Sequence, residues 1–187
     1  MADHGTALEA GAASGGAPAR PDAAAYRTVM GRLPTGVALL TAGSDAALEA
    51  MTLNSLTSVS LDPLLLLVAV RADSRLRPAV DARGSFAVSV LTDNQRDVAT
   101  EFSRRDRARG RAAMRRLGAI AGVAGDAVLP AADASLECVL HARHAAGDHV
   151  LFVGRVVALA CGTGRAAPLL FHQGGFTRLP ANRTEAA

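Results

Sequence analysis

The chain has 187 residues, of which 50% are hydrophobic and 20% are charged, and it carries a formal net charge of +3. This composition can bury a core and excludes a wholly disordered protein. The aromatic content of 3%, without tryptophan, argues against a protein that stacks nucleic-acid bases. Two cysteines are too few for a disulfide framework or a zinc site, so we expect a reduced, cytoplasmic protein.

The two ends of the sequence differ in composition from the middle. Residues 1–22 are dominated by small residues and carry no apolar period, which is typical of a disordered tail. We therefore expect a disordered tail over residues 1–22, one folded domain over 23–180 and a short tail over 181–187. No basic leader precedes an apolar stretch, and the longest apolar run, residues 64–70, has the length of a strand. We expect neither a secretory signal nor a membrane segment.

The first half of the domain predicts one helix and then a series of strands. Asp22 can cap a helix, and apolar residues recur at helical spacing from Tyr26 to Leu33. Strands are then predicted over Val37–Thr41 and from Glu49. Residues 51–61 alternate apolar and polar side chains, which predicts a further strand. The apolar residues 64–70 predict a strand buried on both faces, as in a barrel.

The second half mixes short helices with a hairpin. Helices are predicted over residues 74–83 and 95–102, the second capped by Asp93 or Asn94, with a strand over 86–91 between them. The arginine-rich residues 104–116 predict an exposed loop or a helical extension. Strands follow over 134–142, 150–160 and 169–179, and the turn at residues 147–148 makes a hairpin of the first two. The sum predicts a β-barrel of the α+β type with small helices on its outside.

Two segments could contact an anionic or heterocyclic ligand. Between Thr52 and Ser60, five hydroxyl side chains and Asn54 could donate hydrogen bonds to a phosphate or to a heterocycle edge. Taken alone, this segment is better explained as a polar edge strand that satisfies its own backbone. Arg71 and Arg75 follow the apolar strand and could reach a phosphate, with solvated loop charges as the commoner alternative.

Other candidate groups are weaker. His149 follows the turn at residues 147–148, where it could reach into a cleft, although a lone histidine is more often structural. The arginines of residues 104–116 could form an anion or nucleic-acid patch, and a solvated face is again the commoner explanation. Neither a metal site nor a nucleophile–base pair can be nominated. If the protein is an enzyme, a cofactor should supply its chemistry.

Taken in chain order, these segments resemble the short-chain flavin reductases of two-component flavin monooxygenases. The resemblance runs from about Tyr26 to Leu179 and includes Gln95 and Phe102. Its other parts are YRTVMG at 26–31, PTGV at 34–37, MTLNSLTSVSLDP at 51–63, FAVSVL at 86–91, LEC at 136–138, GDH at 147–149, GRV at 154–156, PLLF at 168–171 and GGF at 174–176. The chain departs from the family where Ala50 replaces a usual glycine, at Leu64, and in residues 104–116, which lack the usual aromatic.

The resemblance implies a split β-barrel homodimer that binds FMN or FAD near the subunit interface. It implies hydride transfer from NADH or NADPH to the flavin. It also implies a flavin-dependent monooxygenase partner that receives the reduced flavin. By fold analogy, the two proteins would act in bacterial natural-product biosynthesis. His149 is the implied catalytic position, on the nicotinamide side. The implied cofactor-binding residues are Glu49, Ala50, Met51, Thr52, Asn54, Ser55, Ser58, Ala69, Val70, Arg71, Ser74, Arg75, Phe102, Phe171, His172, Gln173 and Gly174.

Two other functions compete with this one. A non-catalytic flavin- or haem-binding protein on the same split barrel would bind flavin yet fail to oxidise nicotinamide. An arginine-driven nucleic-acid binder would show steeply salt-dependent binding to DNA. We expect neither a nucleic-acid nor a membrane partner.

Overall fold

The computed structural model describes residues 20–163 and 166–179. Residues 1–19 of the tail predicted over 1–22, and the tail predicted over 181–187, lie outside this part. The described helices are α1 Ala23–Met30, α2 Leu76–Arg83, α3 Arg96–Ser103 and α4 Gly110–Leu117. The described strands are β1 Thr35–Gly36, β2 Ala38–Ala42, β3 Glu49–Leu53, β4 Thr57–Leu61, β5 Leu64–Arg71, β6 Ser85–Val90, β7 Ile120–Ala121, β8 Ala127–Val128, β9 Ala134–Ala146, β10 His149–Cys161, β11 Leu169–His172 and β12 Gly175–Arg178.

The largest sheet is antiparallel, with the strand order β3-β2-β6-β9-β10-β5-β4. Its two edge strands, β3 and β4, are consecutive in the chain and are joined only by residues 54–56. Such a link spans at most about 14 Å, whereas seven strands laid flat would place the two edges roughly 29 Å apart. The sheet must therefore curve until its edges approach each other, which produces an incompletely closed barrel.

Apolar side chains on the two faces of the sheet form two separate cores. Leu39 of β2 packs with Phe102 of α3 and Leu117 of α4 on one face. The next residue, Leu40, packs on the opposite face with Phe86 and other side chains inside the barrel. The two cores bury β2 on both sides, so the sheet stands between an enclosed interior and a layer of helices.

The prediction of one strand over residues 51–61 is wrong. The chain leaves the sheet after Leu53 and re-enters it at Thr57 on the opposite edge. The apolar–polar alternation of residues 51–61 continues through the link at residues 54–56 by chance. Such an alternation does not indicate which edge of a sheet a strand joins. Thr52 and Ser58, which the continuous strand would place on one face, therefore lie on different edges.

The apolar strand β5 is buried on one face only, so the prediction that it is buried on both is wrong. Leu66, Val68 and Val70 lie in the barrel interior, whereas Leu65 and Leu67 are only half-buried. An apolar run indicates that both faces will be covered. It does not say whether the chain itself, a ligand or another subunit provides the cover.

The other predicted elements occur near their predicted positions, with shifted ends. The helix predicted over residues 95–102 is α3, and it is preceded by a short helical turn at which Thr92 and Gln95 form a capping box, instead of a cap at Asp93 or Asn94. Residues 104–116 contain α4. The turn at residues 147–148 joins β9 to β10 as predicted. In the described part, no helix is both long and apolar enough to cross a membrane.

The two cysteines differ in environment. Cys138 is buried in the barrel interior, where desolvation raises the pKa of its thiol to about 12. Cys161 is exposed at the end of β10.

Candidate functional site

The outer face of β5 runs between two clefts. Leu67, Ala69 and Arg71 alternate with the buried residues of β5 and therefore point to the same side. Leu67 and Ala69 line one cleft, of about 740 Å³, and Arg71 lines the other, of about 430 Å³. The distance along the strand from Leu67 to Arg71 is about 13 Å. The strand thus leads from an apolar environment to a cationic one.

The smaller cleft, which we call the arginine cleft, contains four arginine side chains. It is lined by Met51, Arg71, Asp73, Ser74, Arg75, Ser103, Arg105 and Arg107. Ser74 precedes α2, and its hydroxyl donates a long hydrogen bond of 3.6 Å to the Met51 sulfur. Of the predicted site residues, Met51, Arg71, Ser74 and Arg75 are brought together here, from β3, from the end of β5 and from the turn before α2.

The interior of this cleft contains an incompletely paired charge. Arg75 Nε lies 3.6 Å from Glu49 Oε2, and both atoms are buried without a hydrogen bond among the described residues. Arg75 Nη2 also makes a long contact of 3.4 Å with the Arg107 carbonyl oxygen. The Arg75 side chain as a whole is 35% exposed, so its loosely paired guanidinium is open to a ligand anion from the solvent side.

The arginine-rich residues 104–109, which we call the arginine strap, form one wall of the arginine cleft. Arg107 donates through Nε to the Ala50 carbonyl on β3 and through Nη1 to the Arg104 carbonyl. Desolvation lowers the pKa of Arg107, and the neighbouring charge of Arg75 lowers it further. Arg105 Nη2 lies 3.2 Å from Asp73 Oδ2. The strap is therefore bound to β3 and to the turn after β5.

The strap joins α4 through a glycine that the backbone requires. Gly110 has φ +56, and its N–H donates to the Leu48 carbonyl at 2.8 Å. A Cβ at this position would lie 2.9 Å from the Ala46 carbonyl oxygen. Arg111 then pairs with Asp45 at 3.0 Å.

The larger cleft, which we call the apolar cleft, lies between α1, the 54–56 link and the C-terminal hairpin. It is lined by Tyr26, Arg27, Met30, Gly31, Leu33, Thr35, Asn54, Ser55, Leu56, Thr57, Leu67, Ala69, Phe171 and Gly174. Ser55 Oγ donates to the Ala69 carbonyl at 2.9 Å and accepts from the Ala69 N–H at 3.2 Å. Asn54 Nδ2 donates to Thr35 Oγ1 at 3.0 Å. These contacts fix the link against β5 and β1.

The β11–β12 hairpin closes the far side of the apolar cleft. Phe171 contacts Phe176 edge to face, with ring centroids 5.7 Å apart. At the turn, Gln173 has φ +50, and its N–H donates to the Gly31 carbonyl after α1 at 2.9 Å. His172 is half-buried just before this turn, and Gly174 lines the cleft.

His149 lies beside the arginine cleft, outside the residues that line it. It begins β10 and pairs in register with Arg71 of β5. His149 Nδ1 lies 2.8 Å from Asp148 Oδ1, and this hydrogen bond lowers the pKa of the Asp148 carboxyl. Asp148 Oδ2 is also 3.9 Å from Arg71 Nη1. The carboxylate therefore connects the histidine to the cationic end of the outer face.

Several predicted site residues do not offer a side chain to either cleft. Ser58 lies on β4 and lines a separate apolar groove with Leu61 and Leu64. Val70 and Phe102 are fully buried in the two cores, so their side chains do not line either cleft. Ala50 is also buried, but its carbonyl oxygen faces the arginine strap.

Two predicted site residues of β3 line neither cleft and contact other parts of the chain. The Thr52 hydroxyl donates to the Ala99 carbonyl of α3 at 2.8 Å, so it fastens the strand to the helix layer. Glu49 lies behind the arginine cleft as the partner of Arg75. Sequence reasoning missed Asp73, Arg105 and Arg107 as lining residues. The positive charge of residues 104–116 was the sequence signal for Arg105 and Arg107. No local pattern, however, indicates which cleft these residues line.

The residues present fit a flavin phosphate and ring. Ser74 Oγ and four guanidinium groups form a donor set suited to a phosphate, and one of these groups has a buried, unpaired Nε. Leu67, Met30 and Phe171 offer apolar surface to a ring system. No group of His, Cys, Asp and Glu side chains in the described residues is arranged to hold a metal ion.

Known proteins are similar to this chain along the whole predicted domain. Residues 30–180 match the family model described as the flavin reductase like domain. The NADH-dependent FMN reductase AsuE2 of Streptomyces nodosus subsp. asukaensis is 45% identical over 182 residues, which cover 96% of this chain and 98% of that protein.

Two solved structures are similar over most of their length. BorF, the flavin reductase component of a bacterial two-component tryptophan halogenase, aligns with a TM-score of 0.79 and 39% identity over 85% of this chain and 99% of that chain. The NADH:FAD oxidoreductase SgcE6 of Streptomyces globisporus, in complex with NAD and FAD fragments, aligns with a TM-score of 0.78 and 32% identity over 87% of this chain and 95% of that chain.

These findings confirm the fold class and the class of activity predicted from the sequence. The relatives share the mainly β fold with small helices and are named flavin reductases, which are oxidoreductases. The match extends over most of this chain and over nearly all of each relative. The chain therefore belongs to the flavin reductase like domain family.

Proposed function

We propose that this chain takes a hydride from NADH or NADPH, transfers it to FMN or FAD, and supplies the reduced flavin to a separate flavin-dependent monooxygenase. The observation that carries the proposal is the outer face of β5, where Leu67, Ala69 and Arg71 connect the apolar cleft to the arginine cleft. A flavin mononucleotide has the same polarity along its length, from an apolar ring to an anionic phosphate.

In this proposal the chain binds and orients, and the bound molecules supply the redox chemistry. Hydride passes directly between a nicotinamide and a flavin when their rings are stacked, so no ionising side chain is required. Leu67, Met30 and Phe171 hold the ring by apolar contact, and the 54–56 link offers Asn54 and backbone groups to its polar edge. Ser74, Arg75 and Arg71 hold the phosphate.

His149 is proposed as a positioning group on the nicotinamide side. Its ring is oriented by Asp148 and lies next to Arg71 in the sheet. A histidine held in one orientation beside a cationic cleft can donate a hydrogen bond to a bound dinucleotide. His172, Gln173 and Gly174 are proposed to close over that dinucleotide from the C-terminal hairpin.

A homodimer is proposed because one chain leaves apolar surface uncovered next to the site. Leu61 and Leu159 are 84% and 65% exposed, and they line a groove that extends along β4. Leu56 lines both this groove and the apolar cleft. Soluble monomers rarely expose contiguous apolar patches of this kind, and a two-fold contact between identical chains would cover it.

The role of BorF as a reductase component of a two-component system supports the proposed partner. A flavin that is shared between two proteins must leave the reductase. An open cleft of exposed arginines suits this requirement better than an enclosed cavity does.

The test is the loss of NADH absorbance after addition of FMN, FAD or riboflavin, with NADPH assayed in parallel. Turnover with at least one flavin and one nucleotide is the expected result. A chain that binds FMN without oxidising either nucleotide would be the non-catalytic flavin protein instead. Coupling is then tested by adding a flavin-dependent monooxygenase and measuring its hydroxylated product, with NADH as the sole reductant.

A further inference from the structure

Asp73 occupies the arginine cleft as a partner of two of its arginines. It lies in the turn between β5 and α2, where Oδ1 accepts from Arg71 Nε at 2.9 Å and Oδ2 accepts from Arg71 Nη2 at 3.0 Å. Oδ2 also accepts from Arg105 Nη2 of the arginine strap at 3.2 Å. One carboxylate therefore joins two walls of the cleft.

This arrangement uses the donors that a ligand phosphate would use. A guanidinium binds a carboxylate and a phosphate with the same two-pronged geometry. With Asp73 in place, both prongs of Arg71 and one of Arg105 are occupied, whereas Arg75 has a buried Nε without a hydrogen bond. An entering phosphate must compete with Asp73 for Arg71 and Arg105, whereas Arg75 is held only by the longer contact of 3.6 Å with Glu49.

The competing charge is permanent at neutral pH. The hydrogen bond from Arg71 is the main cause that lowers the pKa of Asp73, so the carboxylate stays ionised well below neutrality. Its side chain is 51% exposed, so water and salt screen its effect on a ligand. The effect on binding should therefore be moderate and sensitive to ionic strength.

We propose that Asp73 is an internal counter-ion that competes with the flavin phosphate for Arg71 and Arg105 and thereby favours release of the reduced flavin. This inference rests on the proposed function, because only a flavin that must leave needs such a competitor. When the phosphate departs, the two arginines pair again with Asp73 and are not left as unpaired cations. Asp73 thus sets the retention of phosphorylated flavins without touching the ring.

The test is Asp73→Asn, which keeps the shape of the side chain and removes its charge. Fluorescence titration at low salt should give an FMN Kd about fivefold lower than that of the wild type, with an unchanged Kd for riboflavin, which has no phosphate. Stopped-flow dissociation of FMN should slow by a similar factor. The difference from the wild type should shrink as salt is added.

Asp45→Asn is the matched control. It removes the same charge from an aspartate that pairs with an arginine, Arg111, at 3.0 Å, but it lies outside the residues lining the arginine cleft. Its φ of +52 is one that asparagine tolerates. The control should leave the ratio of the FMN and riboflavin affinities unchanged.

Three results would overturn the inference. Weaker FMN binding by Asp73→Asn would mean that Asp73 orders the arginines for the ligand. Equal changes for FMN and riboflavin would mean that it does not act through the phosphate, and no change would mean that it does not compete. Failure of the proposed function is a separate result, because it would appear in the wild-type chain as an absence of FMN binding or of nicotinamide oxidation.

Discussion

The two clefts along β5 differ in how far one chain completes them. In the arginine cleft, the described contacts pair Arg71 and Arg105 with Asp73, Arg75 with Glu49, and Arg107 with backbone carbonyls. In the apolar cleft, Tyr26 is 63% exposed and Leu33 is 57% exposed, with no cover from the described chain. The difference shows that each arginine here has a partner within one chain, whereas the apolar surface is left for a ligand or a second chain to cover.

The largest expected effect tests whether a second chain supplies that cover. Leu61→Asp places a charge on the most exposed leucine of the groove and should convert the proposed dimer to a monomer, because burying an unpaired carboxylate is costly. Light scattering coupled to size-exclusion chromatography measures the mass. Val123→Asp is the control, since Val123 is 86% exposed on another loop and should leave the mass unchanged. A wild-type monomer would refute the dimer.

The next effect tests the arginine cleft directly. Arg75→Gln removes the guanidinium with the buried, unpaired Nε, so the Kd for FMN should rise about 10- to 100-fold, the value of a charge-assisted hydrogen bond. Riboflavin binding should not change. Arg116→Gln, which removes an arginine of α4 that is paired with Glu101 of α3, is the control. An equal loss of affinity for both flavins would refute the assignment of this cleft to the phosphate.

The complementary change is made in the apolar cleft. Leu67→Thr keeps a strand-forming side chain but removes apolar area, so FMN and riboflavin should both bind about fivefold more weakly. Fluorescence titration of the two flavins measures the ratio of their affinities, which should equal the wild-type ratio. A change in that ratio would mean that the two clefts do not divide the ring from the phosphate.

His149 lies beside the arginine cleft, and its replacement tests the proposed nicotinamide side of the site. His149→Ala should raise the KM for NADH about fivefold, the value of one hydrogen bond, and should change the Kd for FMN much less. His144→Ala is the control, because it removes an exposed histidine from the neighbouring strand β9. Unchanged steady-state kinetics in His149→Ala would remove His149 from the site.

The smallest effect is a dependence on pH. The pKa of Asp73 is lowered by Arg71, and that of Asp148 by His149. Their stabilising contributions are therefore present above the usual carboxyl pKa of 3.8 and are lost only as the pH falls through lower values. Between about pH 5 and pH 8 these carboxylates keep their charge, while a phosphate monoester gains a proton near pH 6. The preference for FMN over riboflavin should thus fall about twofold on acidification, and a constant preference would contradict a phosphate contact.

The sequence predicted the elements with strong local patterns and the class of the fold. The α1 pattern and the turn at residues 147–148 depend on neighbours in the chain, and both are found. The 51–61 alternation failed because edge placement depends on the whole sheet. The barrel was predicted from the series of short strands and small helices, and the resemblance to a family added that it is a split barrel, which periodicity cannot indicate.

The candidate site was predictable only in part, for the same physical reason. Arg71, Ser74 and Arg75 follow one another closely in the chain, so a sequence motif can identify them together. The contact between Asp73 and Arg105 joins residues 32 positions apart, and it exists only because the arginine strap folds back across the cleft. The burial of Phe102 likewise depends on packing against β2, which no motif around α3 reveals.

Leu56 lines both the apolar cleft, where we propose that the flavin ring binds, and the groove that we propose a second copy covers. Two binding events that share a side chain are thermodynamically linked, and each must alter the other by an equal factor. Where the linkage is favourable, dilution of the enzyme would lower its specific activity, and added flavin would restore it by driving reassociation. Cellular abundance would then regulate the reductase as directly as the supply of its substrates.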